Sequence, residues 1–304
     1  MASAPGGVSP LAGEGVPSSR APELQDALNR RLYHPLARRL ARLLRPTGIH
    51  PNIVSIAGGL LVWAAAWAYT IVGGTVGVAL GFGFHLLWHV VDGADGDLAR
   101  LTGKSGPTGE MVDGVCDYSG HFVLYFALTF VLDDWIGGWA WALGIAAAAS
   151  HIAQTNHAET QRRSYLWWAY GIPWLKHAQA AGHEVFQEHD WFTRTFGWMA
   201  RDYLKLASLM APHAERLDAI VEAAAGDPRR AELIRRTVRR AWRRSALLEK
   251  AVGPNPRTLI LGASMALGSP LWFFLAEALV LNAILAVSVA HHNAVGRRLV
   301  ARLG

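Results

Sequence analysis

The hydrophobic positions of this chain fall into long runs that are separated by polar stretches. Each of the first four runs is close to the roughly 20 residues that a helix needs to cross a bilayer. These runs cover residues 53–72, 74–92, 111–132 and 135–155. Gly73-Gly74 and Asp133-Asp134 mark two tight turns between them, and residues 93–110 form a polar break.

A second apolar region follows much later in the chain. It extends from Arg257 to Val295 and is interrupted only by Gly268-Ser269-Pro270. Its length fits two further spans, of which the first is short or begins upstream near Leu247. The pattern therefore predicts an all-α integral membrane protein with a bundle of six spanning helices.

The remaining segments are polar and define the domain organisation. Residues 1–22 are rich in Gly, Pro, Ala and Ser and lack a signal-peptide pattern, which predicts a disordered cytosolic tail. Residues 24–45 carry apolar residues at helical spacing with arginines on the other face, which predicts an amphipathic helix on an anionic membrane surface. We predict a membrane region at 23–155, a basic and partly helical cytosolic insertion at 156–256, and a second membrane region with the C-terminal tail at 257–304.

The distribution of basic residues predicts the orientation in the membrane. The chain has 29 lysines and arginines, and none of them falls in a predicted outer loop. Because basic residues stay on the cytoplasmic side, we expect both termini and the 93–110 break to be cytoplasmic. The arginine run 235–244 lacks an aromatic stacking platform, so it indicates contact with anionic lipid and no nucleic acid.

Candidate chemistry is concentrated around the polar break. Asp92 and Asp95 are three residues apart and Asp113 and Asp117 are four apart, so each pair shares one face of a helix. A short connection makes the two helices antiparallel neighbours. Both aspartate pairs are therefore expected to converge at the cytoplasmic ends.

The charge of this region predicts a metal site. Only Arg100 and Lys104 oppose six acids along this stretch, which are Asp92, Asp95, Asp97, Glu110, Asp113 and Asp117. Carboxylates held together in a partly desolvated site repel one another unless they are protonated or neutralised by cations. Hard divalent ions with oxygen ligands, Mg²⁺ or Mn²⁺, fit this requirement, and two of them would suit a diphosphate substrate.

The same residues resemble a known family. From Asp92 to Asp117 the chain reads D-x2-D-G-x2-A-R-x8-G-x3-D-x3-D, which is the signature of the CDP-alcohol phosphotransferases, also called CDP-alcohol phosphatidyltransferases. Pro51-Asn52-Ile53-Val54-Ser55, at the start of the first span, agrees with it, although His50 stands where many relatives have Thr. The resemblance covers residues 24–155 well and the last two spans loosely, and it leaves the insertion at 156–256 unexplained.

The resemblance implies a role for each residue of the signature. Asp92, Asp95 and Asp113 would be metal ligands, and Asp117 would both bind metal and act as the general base toward the acceptor hydroxyl. The nucleotide site would be shaped by Gly96, Ala99, Arg100 and Gly109. The implied reaction is attack of an alcohol on the β-phosphorus of a CDP-alcohol with release of CMP, by an enzyme that is usually a homodimer.

Several alternatives remain open from the sequence. The donor is expected to be CDP-diacylglycerol and the acceptor a small alcohol such as glycerol 3-phosphate, serine or an inositol (phosphate), and the reverse arrangement has a CDP-linked head group and a lipid alcohol. A cation transporter and a scaffold with a degenerate site are readings of other classes. Arg162 and Arg163, in a polar cluster after the fourth span, either bind the acceptor or anchor the helix at the membrane interface. His85 and His89 share a face with Asp92, where they either line a polar cavity or bind a transition metal.

Overall fold

The computed structural model describes residues 21–173, 191–242 and 245–304, and within these ranges the regular structure is entirely helical. The N-terminal half contains five α-helices, of which the second continues through a π-helical segment at Ala68–Val72. They are α1 (His34–Leu44), α2 (Pro51–Trp67), α3 (Gly74–Thr102), α4 (Pro107–Ile136) and α5 (Trp139–Tyr170).

The C-terminal half begins with shorter helices and ends with a long one. The shorter helices are α6 (Trp191–Met210), α7 (Ala214–Ala223), α8 (Pro228–Trp242), α9 (Ser245–Ala251) and α10 (Pro254–Ala266). The last helix starts as α11 (Leu271–Leu275) and passes through a π-helical segment at Ala276–Leu281 into α12 (Asn282–Leu303).

Four helices among the described residues are long and apolar enough to cross a membrane: Pro51–Val72, Gly74–Thr102, Thr108–Ile136 and Leu271–Leu303. On α4, Phe122, Phe126 and Phe130 recur at helical spacing and remain largely exposed, as lipid-facing side chains would be. The predicted fourth span coincides with the first half of α5, and the predicted fifth with α10. Neither of these helices is among the four, so the count of six spans stays a prediction.

The connection between α3 and α4 is short. Helix α3 continues through the first part of the polar stretch at 93–110 to Thr102, as the helical face shared by Asp92 and Asp95 requires, and only residues 103–106 separate α3 from α4. Asp95 of this stretch bonds to Ser55 of α2, and Gly103 ends α3 in a left-handed conformation. The turn predicted at Asp133-Asp134 lies instead after Ile136, where Gly137 has a φ of 60°.

Small residues allow α2 to pack closely against α3 and α4. A Cβ atom on Gly59 would lie 3.1 Å from the carbonyl oxygen of Cys116, and one on Gly120 would lie 3.1 Å from Cβ of Val62. Deeper in the bundle, Val62 and Ala65 join a buried apolar cluster with Leu124 of α4. This packing fixes the part of α4 that carries the aspartates.

Helix α1 has one buried and one exposed face. Ala37 and Ala41 pack into an apolar cluster with Ala94 and Leu98 of α3. On the other face Arg38, Arg39 and Arg42 are exposed, as is Leu43, and Arg45 is exposed directly after the helix. Its position on a membrane surface stays a prediction.

The polar segment after the predicted fourth span packs on the membrane helices. Helix α5 runs without interruption past residue 155, and its end shares a buried cluster with Leu217 of α7, Val238 of α8 and Leu299 of α12. Trp168 also donates a hydrogen bond of 2.7 Å to Asp218. Of the predicted tail, residues 1–20 lie outside the described residues, as do positions 174–190 and 243–244 of the predicted insertion.

The tight turn between α2 and α3 generates a stability prediction. A Cβ atom on Gly77 would lie only 2.4 Å from the carbonyl oxygen of Ala68, whereas one on Gly83 of the same helix meets nothing within 4 Å. We expect Gly77→Ala to destabilise the protein by about 1–3 kcal/mol through overpacking. Gly83→Ala should be neutral or slightly stabilising because alanine favours helix. Thermal unfolding in detergent measures both, and equal melting temperatures would contradict the packing.

Candidate metal and substrate site

Three aspartates from two helices come together where α3 approaches α4. Asp92, Asp113 and Asp117 each offer a carboxylate oxygen, and these oxygens all lie within 4.8 Å of one another. All three residues are half-buried. Helices α3 and α4 both pack against α2, and the short connection at residues 103–106 places the end of α3 beside the start of α4.

Asp95 lies beside this group and is held by the preceding helix. Its carboxylate accepts a hydrogen bond of 2.5 Å from the hydroxyl of Ser55 and another from the backbone N–H of Gly96. It also lies within hydrogen-bonding reach of Asp113. Asp95 is only 5% exposed, so Ser55 of α2 satisfies a carboxylate that is almost fully buried.

Trp88 fixes the orientation of Asp117. Its indole N–H donates to Oδ1 of Asp117 at 3.1 Å, and the indole is buried. Trp88 precedes Asp92 by one helical turn, so it shares a face of α3 with that aspartate. Sequence reasoning missed both Trp88 and Ser55. The only signals were this i−4 spacing and the position of Ser55 in the segment that opens α2.

The residues predicted to shape the nucleotide site lie at the same end of the two helices. Arg100 is exposed and its guanidinium donates to Asp97 at 2.5 Å. A Cβ on Gly96 would lie 3.3 Å from this guanidinium, and one on Gly109 would lie 3.8 Å from the Asn52 side chain. Ala99 is partly exposed next to them. Small residues therefore keep this end of the site open.

Helix α5 brings a charged network to the site. The Glu159 carboxylate accepts hydrogen bonds from Nε and Nη2 of Arg162, at 2.7 Å and 2.6 Å, and from Nε of Arg163 at 2.6 Å. Arg163 also donates to Glu110 of α4 at 3.0 Å. Burial alone would raise the pKa of Glu159, but the two guanidinium groups hold this pKa well below its usual range. The predicted acceptor-binding arginines are therefore paired with carboxylates of the chain.

A second polar feature lies deeper in the bundle. A small cavity is lined by histidines of three helices, His85, His121 and His151, together with Trp88 and Arg257 among others. His89 is not among the lining residues, since its Nε2 lies 2.9 Å from the hydroxyl of Thr258 and its ring stacks on Tyr33. This placement supports the interpretation that the two histidines of α3 line the cavity or bond within the bundle.

The residues of the aspartate cluster fit a divalent metal. Every donor in the cluster is a carboxylate oxygen, the type that Mg²⁺ and Mn²⁺ prefer. The cluster also lies in a partly desolvated position, where repulsion among the carboxylates favours a bound cation. The fold and the site define a helical protein with membrane-length helices and a site rich in carboxylates.

The comparison with protein families identifies this part of the chain. Residues 48–174 match the family described as CDP-alcohol phosphatidyltransferase, which confirms the resemblance of the signature. The match extends from the start of α2 to beyond the end of α5 and contains all the aspartates of the site. Residues 48–174 are therefore similar to this transferase family, whose members use divalent metals. Among curated proteins, no sequence matches the chain significantly.

The hydrogen bond from Trp88 to Asp117 generates a prediction on metal binding. Trp88→Phe keeps an aromatic ring but removes the N–H, so Asp117 loses the bond that orients its carboxylate. We expect Mn²⁺ to bind several-fold more weakly, as is typical when a partner behind a metal ligand is removed. Electron paramagnetic resonance of free Mn²⁺ in a titration measures this affinity. Trp63→Phe on the exposed side of α2 is the control, and identical affinities in all three proteins would contradict the role of Trp88.

Proposed function

We propose that this protein transfers a phospho-alcohol group from a CDP-alcohol to a hydroxyl acceptor and releases CMP. The group transferred is proposed to be a phosphatidyl group. The observation that carries the proposal is the convergence of Asp92, Asp113 and Asp117 within a domain of the CDP-alcohol phosphatidyltransferase family. A diphosphate donor needs its negative charge neutralised during transfer, and a carboxylate near the acceptor can take the proton of the attacking hydroxyl.

The aspartates would have distinct roles in this reaction. Asp92, Asp95, Asp113 and Asp117 would hold Mg²⁺ or Mn²⁺, for which two ions are expected. The ions would supply charge neutralisation at the diphosphate when bound. Asp117 would also accept the proton of the acceptor hydroxyl, with Trp88 holding its carboxylate in position. Ser55 would keep Asp95 in place from α2.

The substrates would be held by residues that surround the aspartates. Gly96, Ala99 and Gly109 would leave room for the nucleotide, and Arg100 would contact a phosphate or hold a carboxylate of the site. Arg162 and Arg163 would lie on the acceptor side, where α5 approaches the cluster.

The donor is proposed to be CDP-diacylglycerol. The site lies on helices whose outer faces are apolar and exposed, so a lipid tail could remain in the bilayer while its diphosphate reaches the aspartates. The reverse arrangement, with a CDP-linked head group and a lipid alcohol, uses the same chemistry and is the alternative within this class. A cation transporter would need carboxylates with access to both sides, whereas Asp92 lies nearer to one end of α3.

We propose six membrane spans, with α1 on the cytoplasmic membrane surface and with both termini and the site on the cytoplasmic side. The supporting observations are the exposed arginines of α1 and the distribution of basic residues along the chain. The enzyme is proposed to act as a homodimer, as members of the family usually do.

The proposal predicts the effect of removing one carboxylate. Asp117→Asn keeps the size of the side chain but removes both the general base and a metal ligand. We expect release of CMP from CDP-diacylglycerol to fall at least about 100-fold, in the range that general bases contribute. The measurement is CMP release by purified protein in detergent across a panel of alcohols, with Mg²⁺ or Mn²⁺ and with a chelator.

Asp134→Asn, an exposed aspartate at the far end of the same helix, is the matched control and should keep full activity. Activity that persists in Asp117→Asn or in the presence of the chelator would contradict the proposal. If wild-type protein releases no CMP with any alcohol, CDP-linked head groups with lipid acceptors are tested next.

A further inference from the structure

The charges on the acceptor side of the site cancel one another. Arg162 and Arg163 carry two positive charges, and Glu159 and Glu110 carry two negative charges within hydrogen-bonding distance of them. Arg162 donates hydrogen bonds from two N–H groups to the two carboxylate oxygens of Glu159. Arginine binds phosphate groups in the same bidentate geometry. These donors are thus already engaged by carboxylates of the chain itself.

This network is close to the aspartate cluster. Glu159 interacts electrostatically with both Asp92 and Asp117, and Arg162 does so with Asp92. The four residues of the network remain partly exposed, each side chain keeping between 28% and 40% of its surface accessible. They can therefore meet a molecule that approaches Asp117 from solution.

The segment after α5 completes this side of the site. Tyr203 of α6 is close enough to interact electrostatically with Glu159 and Arg163, and its hydroxyl accepts a hydrogen bond of 3.5 Å from Thr160. The backbone carbonyl of Tyr203 also accepts a hydrogen bond of 2.8 Å from the side-chain amide of Asn156 of α5. The polar insertion therefore places the side chain of Tyr203, with its hydroxyl group, beside the arginines on the acceptor side.

We propose that Glu159 makes the acceptor site selective for hydroxyl compounds without a phosphate group, that is, neutral polyols or zwitterionic amino alcohols. This inference rests on the proposed function and narrows its acceptor class. A phosphorylated acceptor would have to displace Glu159 from both arginines and would face the repulsion of this carboxylate and of the nearby aspartates. An uncharged hydroxyl compound meets no such repulsion and can bond to the exposed edges of the network.

The test compares matched acceptor pairs with the full-length protein in lipid nanodiscs. CMP release from CDP-diacylglycerol is measured with glycerol and glycerol 3-phosphate, inositol and inositol phosphate, and serine and phosphoserine. For the pair that contains the substrate, wild-type kcat/KM should favour the compound without phosphate. Glu159→Gln keeps the shape of the side chain but removes the negative charge that Arg162 and Arg163 share, so that only Glu110 still opposes the two arginines. This substitution should move the ratio toward the phosphorylated compound by at least about tenfold, the effect of roughly one nearby charge.

Two further variants serve as an intermediate case and as a control for Glu159→Gln. Glu110→Gln, at an exposed position, removes only the second partner of Arg163, so it should shift the ratio in the same direction by less. Glu232→Gln breaks an equivalent pair with Arg236 on α8, away from the aspartates, and should leave the ratio unchanged. A wild-type preference for the phosphorylated compound, or equal ratios in wild type and Glu159→Gln, would overturn the inference.

A binding measurement separates this inference from the proposed function. Isothermal titration calorimetry measures the affinity of each protein for glycerol 3-phosphate and requires no turnover. Glu159→Gln should bind it at least about tenfold more tightly than wild type, and equal affinities would overturn the role of Glu159. Absence of CMP release with every acceptor would count against the transferase proposal alone, because the titration still decides the charge selectivity.

Discussion

Mutual repulsion among carboxylates is the constraint on which the site depends. Asp92, Asp113 and Asp117 present oxygens within 4.8 Å of one another in a partly desolvated place, where ionised groups cannot remain without compensation. Ser55 and Trp88 hold this arrangement through hydrogen bonds and bring no charge to it. A bound divalent cation would compensate the negative charges. The geometry therefore favours binding of a metal ion, and the bound ion would in turn favour binding of a diphosphate.

The fold around the cluster meets the requirement for such proximity. Helices α3 and α4 are joined by only residues 103–106, and glycines such as Gly59 allow α2 to approach the backbone of α4 closely. The apolar outer faces of these helices suit a lipid, and α5 brings paired charges to the site. In the proposed reaction, the acceptor would approach the aspartates along α5.

Much of the architecture follows from the sequence, because apolar runs of membrane length and the spacing of the aspartates are local patterns. The family signature from Asp92 to Asp117 is confirmed by the family match. The stretch after Asp92 is polar and yet helical, in agreement with the helical face that Asp92 and Asp95 share. The hydrogen bonds from Ser55 and Trp88 to the aspartates, and the ion pair of Arg163 with Glu110, depend on contacts between helices that no periodicity in the sequence encodes. Glu159 is different, because it precedes Arg162 and Arg163 by three and four residues on one helix, a spacing that the sequence does show.

The central claim is that the aspartate cluster holds a metal against the diphosphate of a CDP-alcohol. Pulsed electron paramagnetic resonance of the protein with Mn²⁺ and CDP-diacylglycerol tests it directly through the magnetic coupling between manganese and phosphorus-31. The account predicts a phosphorus coupling that appears with the donor and disappears in Asp113→Asn. Manganese that binds without any phosphorus coupling, or a coupling that persists in Asp113→Asn, would contradict the account.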